Sequence, residues 1–341
     1  MQTVAGGRNG AVGVGGLTLG GGISYFSPQV GFTCDTVTNF EVVLADGCIV
    51  NANKTSEPDL YRALKGGTTN FGVVTRFDFA TIDYTEVLAG SVANDVSHRG
   101  AVFDAFAAIA NATDYDEHAS VVTSIIFNSS SKAWALASTP IYTLPDTNPP
   151  VYKDLLAIPN LSNNLHLAKL GVFSNETATP PLNWGFGTGT YGVSAELLNR
   201  IFDICNESLY SFEDTVSIGW VLAFEPLPTV FVERGQGHNS LGTSTADGNS
   251  MILLLSPLWP PGGSVSNAAV HAKTTQLLNK INGTAKQMGL LKEFVYTDYA
   301  DASQRPIRNY GARNVGFLRR TAHKYDPHGV FQRLVKGGFK V

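Results

Sequence analysis

The sequence is short of charge, of sulfur and of long apolar runs. Charged residues make up 15% of the 341, and the formal net charge is −4. The longest basic run is Arg319-Arg320. No patch that would neutralise a phosphate backbone is written in the chain, and nucleic acid is not an expected partner. No apolar stretch approaches the roughly 18 residues of a spanning helix. "MILLLSPLW" is broken by Pro257, so no membrane partner is expected either. Three cysteines, Cys34, Cys48 and Cys205, form no CxxC pair and allow one disulfide or none. HExxH, GxSxG and GxxxxGK[ST] are all missing. That removes common zinc-hydrolase, nucleophile-elbow and P-loop chemistries, and no metal site is expected.

What the sequence does have is apolar material for a core, at 43%, and one unusual segment. "GGRNGAVGVGGLTLGGG", Gly6 to Gly22, is more than half glycine. Glycine has no side chain to bury and loses the most backbone entropy on ordering, so something must require its small size. Gly13 and Gly15 give a GxG, but Thr18 stands where a dinucleotide fingerprint needs its third glycine, and "ISYFSPQVGF" after it does not read as a helix. Two readings stay open. One is a strand–loop–strand whose bare N–H groups approach a flat or anionic ligand, and the other is a turn-rich loop packed against another backbone.

Three regions follow from the patterning. Residues 1–85 read as short strands and turns. "FEVVLADGCIVNA" is a hairpin around a type I′ Asp46-Gly47 turn. "SEPDLYRALKGG" is a short helix capped by Ser56 and stopped by Gly66, and "NFGVVTRFDFAT" is a strand. Residues 86–290 alternate strand pairs with helices. Helices are expected over "HRGAVFDAFAAIANA", "SAELLNRIFDICN" with Ser194 as cap, and about Ser266 to Lys286. Strands are expected in "SVVTSIIFNSSSKAWALAS", "DTVSIGWVLAFEPL" and "NSMILLLSPLWP". This predicts an antiparallel sheet covered by helices on one face, with loops at 144–150 and 257–263. Residues 291–341 contain "YTDYAD", read as extended so that Tyr296 and Asp298 face one way and Tyr299 the other. They also contain a helix in "NYGARNVGFLRRTAHKYDPHGVF" with Val315, Leu318 and Ala322 inward, ended before Pro327. Seven N-x-S/T sequons, at Asn53, Asn111, Asn128, Asn160, Asn175, Asn206 and Asn282, point towards a secreted glycoprotein, although residues 1–10 contain no signal-peptide core.

"VGVGGLTLGGGISYFSPQVGFTCDTV", "EVVLADGCIV", "DLYRALKGGTTNFGVVTRF" and the ending from Tyr299 to Lys340 resemble the berberine bridge enzyme-like FAD-linked oxidases, of the vanillyl-alcohol oxidase type. The resemblance covers about residues 5–85 and 290–340. It implies an α+β chain. Residues 1–85 would be the second lobe of a PCMH-type FAD-binding domain, 86–290 a substrate-binding domain, and 291–341 a segment returning to the FAD domain. It implies FAD as cofactor, bound along Gly13, Gly15, Gly16, Gly20, Gly21 and Gly22 and beside Gly72 and Val74. In the family's YxNY motif the second tyrosine often acts as base, and Tyr299 holds that place. Tyr299 would take a proton while hydride passes from a small-molecule substrate to flavin, with dioxygen as acceptor. Roof candidates over the flavin are Trp220, Phe224, His238 and Asn239.

Three departures accompany the resemblance. Asn9 stands where many relatives carry a flavin-attaching cysteine. Asp298 replaces the motif's asparagine, and a carboxylate beside a tyrosine raises that tyrosine's pKa, so a cation or the flavin must offset it. The family's lobe ahead of the glycine stretch has no counterpart after Met1. This implies a fragment of the enzyme or, alternatively, a shortened paralogue without independent catalysis. Apolar faces on Gly15–Phe26 and Val42–Val50, read as strands, are then expected to be exposed.

Overall fold

The computed structural model describes residues 1–176, 181–212, 218–262 and 266–341. The strand start expected at Asp214–Ser217, Thr177 of the Asn175 sequon, and Gly263 lie outside the described residues. The chain divides into two compact units. The first comprises Met1–Tyr84, Thr229–Ala246 and Glu293–Val341, and the second Thr85–Pro228 and Asp247–Lys292. The segment Thr229–Ala246, which interrupts the middle region in sequence, therefore packs with the two ends of the chain.

The second unit follows its period-two and period-3.6 patterns closely. Among the described residues it holds a sheet of ten strands whose neighbours pair antiparallel. At its centre Ala133–Tyr142, Ala119–Asn128, Gly219–Leu227 and Ser250–Trp259 lie side by side. Along Ala119–Asn128 every second residue is buried, with Val121, Thr123, Ile125 and Phe127 on the covered face. Helices Arg99–Ala110, Ala195–Tyr210 and Asn267–Gln287 cover that face, sending Phe106, Ile201 and Ile281 into one core. Each large apolar side chain so buried stabilises the fold by about 1.5–3 kcal/mol. Ser194 and Ser266 cap their helices, each Oγ accepting at 3.2 Å, from Leu197 N–H and Ala269 N–H. Val122, Ser124, Ile126 and Val221, on the other face, are half-buried.

The strand register also corrects two roof candidates. Trp220 pairs with Phe127 and Phe224 with Thr123, which puts both on the helix-covered face. They are 0% and 1% exposed. Phe224 meets the rings of Phe103 and Phe106 at 6.0 and 6.5 Å. Both are core residues.

In the first unit, Ile49–Asn53, Val37–Val43 and Val73–Phe79 form a three-stranded antiparallel sheet with Val37–Val43 in the centre. The hairpin forms, but its turn differs from the expected type I′. Gly47 N–H donates to Leu44 O at 3.0 Å and Leu44 N–H to Cys48 O at 2.8 Å. Gly47 alone has a left-handed φ, +85°. This is a three-residue loop closed by a glycine bulge. The helix Pro58–Leu64 is capped by Glu57, at φ +46°, and not by Ser56. Pro58 takes the first helical position and fixes the first turn, which makes Glu57 the preceding residue.

The glycine-rich stretch is helical where a strand was expected. Val14–Leu19 forms a short α-helix, with Leu17 N–H to Gly13 O at 3.2 Å, Gly20 N–H to Gly16 O at 3.0 Å and Thr18 Oγ1 to Val14 O at 2.7 Å. Burial of Thr18 and Leu19 outweighs the roughly 1 kcal/mol that each helical glycine costs. Ser27–Val30 adds one more helical turn, started by Pro28 and ended by Gly31. Ile23, Tyr25 and Phe26 are buried, so Gly15–Phe26 exposes no apolar strand face. In the small sheet the expected exposure survives at Ile49, 67% exposed, beside Val73, 57% exposed, both in register with Val43.

The excursion Thr229–Ala246 is held to the first unit through Asp35. Its carboxylate accepts from Asn239 Nδ2 and from Phe32 N–H, each at 2.9 Å. Phe32 packs on Phe231 at 4.6 Å between ring centres. The terminal helix Ala312–Tyr325 buries Leu318 and Ala322 and half-buries Val315, and stops at Asp326 before Pro327. All three cysteines are free, Cys34 and Cys205 buried and Cys48 exposed.

Candidate functional site

"YTDYAD" is not extended. Thr297–Tyr299 forms one 3₁₀ turn, with Tyr299 N–H to Tyr296 O and Ala300 N–H to Thr297 O at 3.2 Å each. The turn replaces the alternating directions of a strand. It brings Tyr296 and Asp298 into contact, Tyr296 OH donating to Asp298 Oδ2 at 2.8 Å. The Tyr299 ring meets the Tyr296 ring edge to face at 4.8 Å. Tyr296 is 1% exposed and lies in an aromatic cluster with Phe32 and Phe294. Below the turn, Thr297 Oγ1 bonds the Tyr310 hydroxyl, which also donates to Gly66 O at 3.1 Å. A buried, bonded base thus supports a half-exposed Tyr299.

A cation reaches Tyr299 from the other end of the chain. Arg8 Nη2 donates to the Tyr299 hydroxyl at 2.8 Å, across 291 positions of sequence. Tyr25 OH donates to the Arg8 carbonyl at 3.4 Å. A guanidinium in hydrogen-bond contact favours the ionised form of a phenol. Sequence reading missed Arg8, although it precedes Asn9, the position already singled out. Only the fold brings the two ends together.

Asp298 is the third polar member. Gly22 N–H donates to its Oδ2 at 3.2 Å, beside the Tyr296 hydroxyl. Desolvation pushes its carboxyl up to about 7, against the two hydrogen bonds that hold it down. Near neutral pH this carboxyl therefore exchanges between charged and neutral forms, where an asparagine would stay neutral.

The glycines fall into two groups according to what a Cβ would meet. At Gly13 and Gly16 nothing lies within 4 Å, and at Gly15 only the Phe77 ring, at 3.6 Å. Val12 and Val14 beside them are 45% and 52% exposed. This open, side-chain-free backbone fits a planar ligand resting on it. At Gly20 a Cβ would sit 1.8 Å from Asp298 Oδ1, and at Gly22, with φ +82°, 2.6 Å from Thr33 Cβ. Gly21 faces Leu241 at 3.3 Å. Gly72 would strike Val42 Cγ1 at 2.5 Å and Val43 O at 2.8 Å, and Val74 pairs with Val42 in the sheet. The chain itself accounts for the bare backbone of this second group. Of the two remaining roof candidates, Asn239 bonds Asp35, and exposed His238 lies one residue before it.

No family model matches the chain. It is 37% identical over 343 residues to oligopeptidase PhomG′ of Diaporthe leptostromiformis, covering 98% of this chain and 28% of that protein. It is 33% identical over 353 residues to the FAD-dependent monooxygenase sdcF of Emericella nidulans, covering 99% of this chain and 72% of that one. The chain belongs to the berberine bridge enzyme-like FAD-linked oxidoreductases. Glucooligosaccharide oxidase of Acremonium strictum shares the fold of this family member, with a TM-score of 0.77 at 19% identity over 96% of this chain and 71% of that one. The chain spans 28% of the length of PhomG′ and 65% of two other FAD-dependent monooxygenases. Among the described residues no three His, Cys, Asp or Glu side chains are grouped to hold a metal ion, and no helix is long and apolar enough to cross a membrane.

Proposed function

We propose that this protein is an FAD-dependent oxidoreductase in which Tyr299 is the base and Arg8 its charge partner. The observation that carries the reading is the 2.8 Å contact between the Arg8 guanidinium and the Tyr299 hydroxyl, in a chain of this family. Tyr299, ionised beside Arg8, takes the proton from a substrate hydroxyl or activated C–H. FAD, when bound, supplies the acceptor for the hydride leaving the same substrate, and dioxygen takes the electrons from it to give hydrogen peroxide. Gly13, Gly15 and Gly16 hold the cofactor by close backbone approach. Gly20, Gly21, Gly22, Gly72 and Val74 shape the frame around it. Asp298 fixes the turn through Gly22 and Tyr296.

In this proposal residues 86–290, without the excursion at Thr229–Ala246, are the substrate-binding domain. Its substrate is a small organic alcohol, sugar or secondary metabolite. A flavin spectrum of the purified protein, before and after adding FAD, tests the cofactor. Arg8→Met then tests the base. It retains FAD, and the pH at which substrate reduces the flavin rises, because the phenolate has lost its cation. An unchanged pH profile in Arg8→Met removes Arg8 from this role. A protein that stays colourless with FAD favours a family member without catalysis of its own.

A further inference from the structure

The first unit contains a second polar site that the redox reading does not use. Lys65 follows the helix Pro58–Leu64 and is 2% exposed. Its ammonium donates to two backbone carbonyls, Val37 O at 3.2 Å and Asp35 O at 3.4 Å, and lies 4.2 Å from the centre of the Tyr61 ring. None of these partners is a carboxylate. Its direct hydrogen bonds go to neutral acceptors, and the Asp35 carboxylate offsets its charge through space. Arg62, one turn earlier, is also held by neutral groups: Asn239 O at 3.2 Å, Asn314 Oδ1 at 2.8 Å and the face of Phe317 at 4.5 Å.

Both residues line a cleft of about 560 Å³, joined by Lys54, Arg234 and His238, with Pro58 and Tyr61 as its apolar wall. Its single carboxylate is Asp35, whose two oxygens are already taken by Asn239 Nδ2 and Phe32 N–H. Lys54, Arg62 and Lys65 outnumber the one carboxylate of the cleft, and Arg234 lies beside them. Lys65 and Arg62 make their direct hydrogen bonds to neutral groups. The volume falls in the range of small-molecule pockets, about 300–1,000 Å³, so more than a lone ion fits.

We propose that this cleft binds the phosphate group of a small phosphorylated molecule, with Lys65 and Arg62 on the phosphate oxygens and Lys54 and Arg234 at the rim. Guanidinium and ammonium donors match a phosphate dianion in geometry and charge, and the wall of Pro58 and Tyr61 takes the organic part. The site is separate from the Tyr299 centre and does not depend on the redox reading.

Calorimetric titration of the protein with inorganic phosphate, with AMP and with adenosine tests it, with and without saturating FAD. AMP is expected to bind at millimolar concentration or below, adenosine not at all, and raised salt to weaken AMP binding. Phosphate binding as tightly as AMP would assign the site to the free ion, while tighter AMP binding would assign it to the ester. Lys54→Ser and Arg234→Ser, both exposed positions, are each expected to weaken binding about threefold to tenfold without loss of thermal stability. Lys65→Met is expected to abolish it, and Lys65→Arg to retain it should the methionine variant fail to fold. Absence of binding by phosphate and AMP alike overturns the proposal, as does binding indifferent to the rim variants. Loss of AMP binding in saturating FAD, with the rim variants also weakening FAD, would make the cleft part of the cofactor site and overturn it as a separate one.

Discussion

Two halves of one glycine-rich stretch meet the same turn, Thr297–Tyr299, in different ways. The first half sends Arg8 to the Tyr299 hydroxyl and leaves Gly13 and Gly16 facing open space. The second half packs Gly20 against Asp298 and Gly22 against Thr33, and bonds Gly22 N–H to the same aspartate. Glycine is thus used twice for different reasons. In one half its lost side chain leaves open space, and in the other it makes room for the chain itself. A sequence pattern alone gives both halves the same appearance.

The comparison breaks most sharply at Tyr299. Tyr299→Phe removes the proposed base and leaves the ring packing, so stopped-flow flavin reduction should slow by about 10²–10⁴, with the melting temperature and FAD content of the parent. Reduction at the parental rate would take the chemistry out of the first half.

The second half should respond through stability. Gly20→Ala places a methyl against the Asp298 carboxylate, and overpacking of this kind costs about 1–3 kcal/mol. Chemical denaturation should show that loss, and an Asp298→Ala partner substitution should return part of it. Full stability in Gly20→Ala would mean that the turn yields freely.

Asp298 adds a pH dependence to the same half. Its folded carboxyl titrates at about 7, above an unfolded value of about 3.9. Between these limits the folded state binds the extra proton, so this group's contribution to stability is greatest below pH 4, falls as pH rises and levels off above 7. The residue as a whole is half-buried. The expected loss is therefore about 1–2 kcal/mol, below the full-burial figure of about 4. Asp298→Asn should flatten this segment of the stability curve, and a slope that persists in the variant would assign it to another group.

The smallest effect belongs to the open glycines. Gly16→Ala adds a methyl with no neighbour within 4 Å inside a helix. Stability should hold or rise by about 0.5–1 kcal/mol, while FAD affinity falls. Unchanged FAD affinity, measured by fluorescence titration, would show that this backbone is not a cofactor surface.

Legibility followed the range of the interactions. In the second unit the helix Arg99–Ala110, the strands from Ala119 and Ala133 and the Ser194 cap were readable, because each is fixed by residues a few positions apart. In the first unit the helix Val14–Leu19 went against its own propensity, and the 3₁₀ turn went against the alternation of "YTDYAD". The helix buries Thr18 and Leu19, and the turn is tied to residues nearly 300 positions away. Ser56 failed as a cap for a local reason, since Pro58 starts the helix and leaves Glu57 at the cap.

The sequence by itself determined the α+β class, the sheet-and-helix plan of the middle region and the family, since these depend on short-range periodicity and on motifs that keep their order. Only the tertiary structure decided which glycines are open and which are filled, that Arg8 is the cation on Tyr299, and that Asp298 sits between Gly20, Gly22 and Tyr296. Charge pairing and steric exclusion act through space, and neither leaves a spacing in the chain.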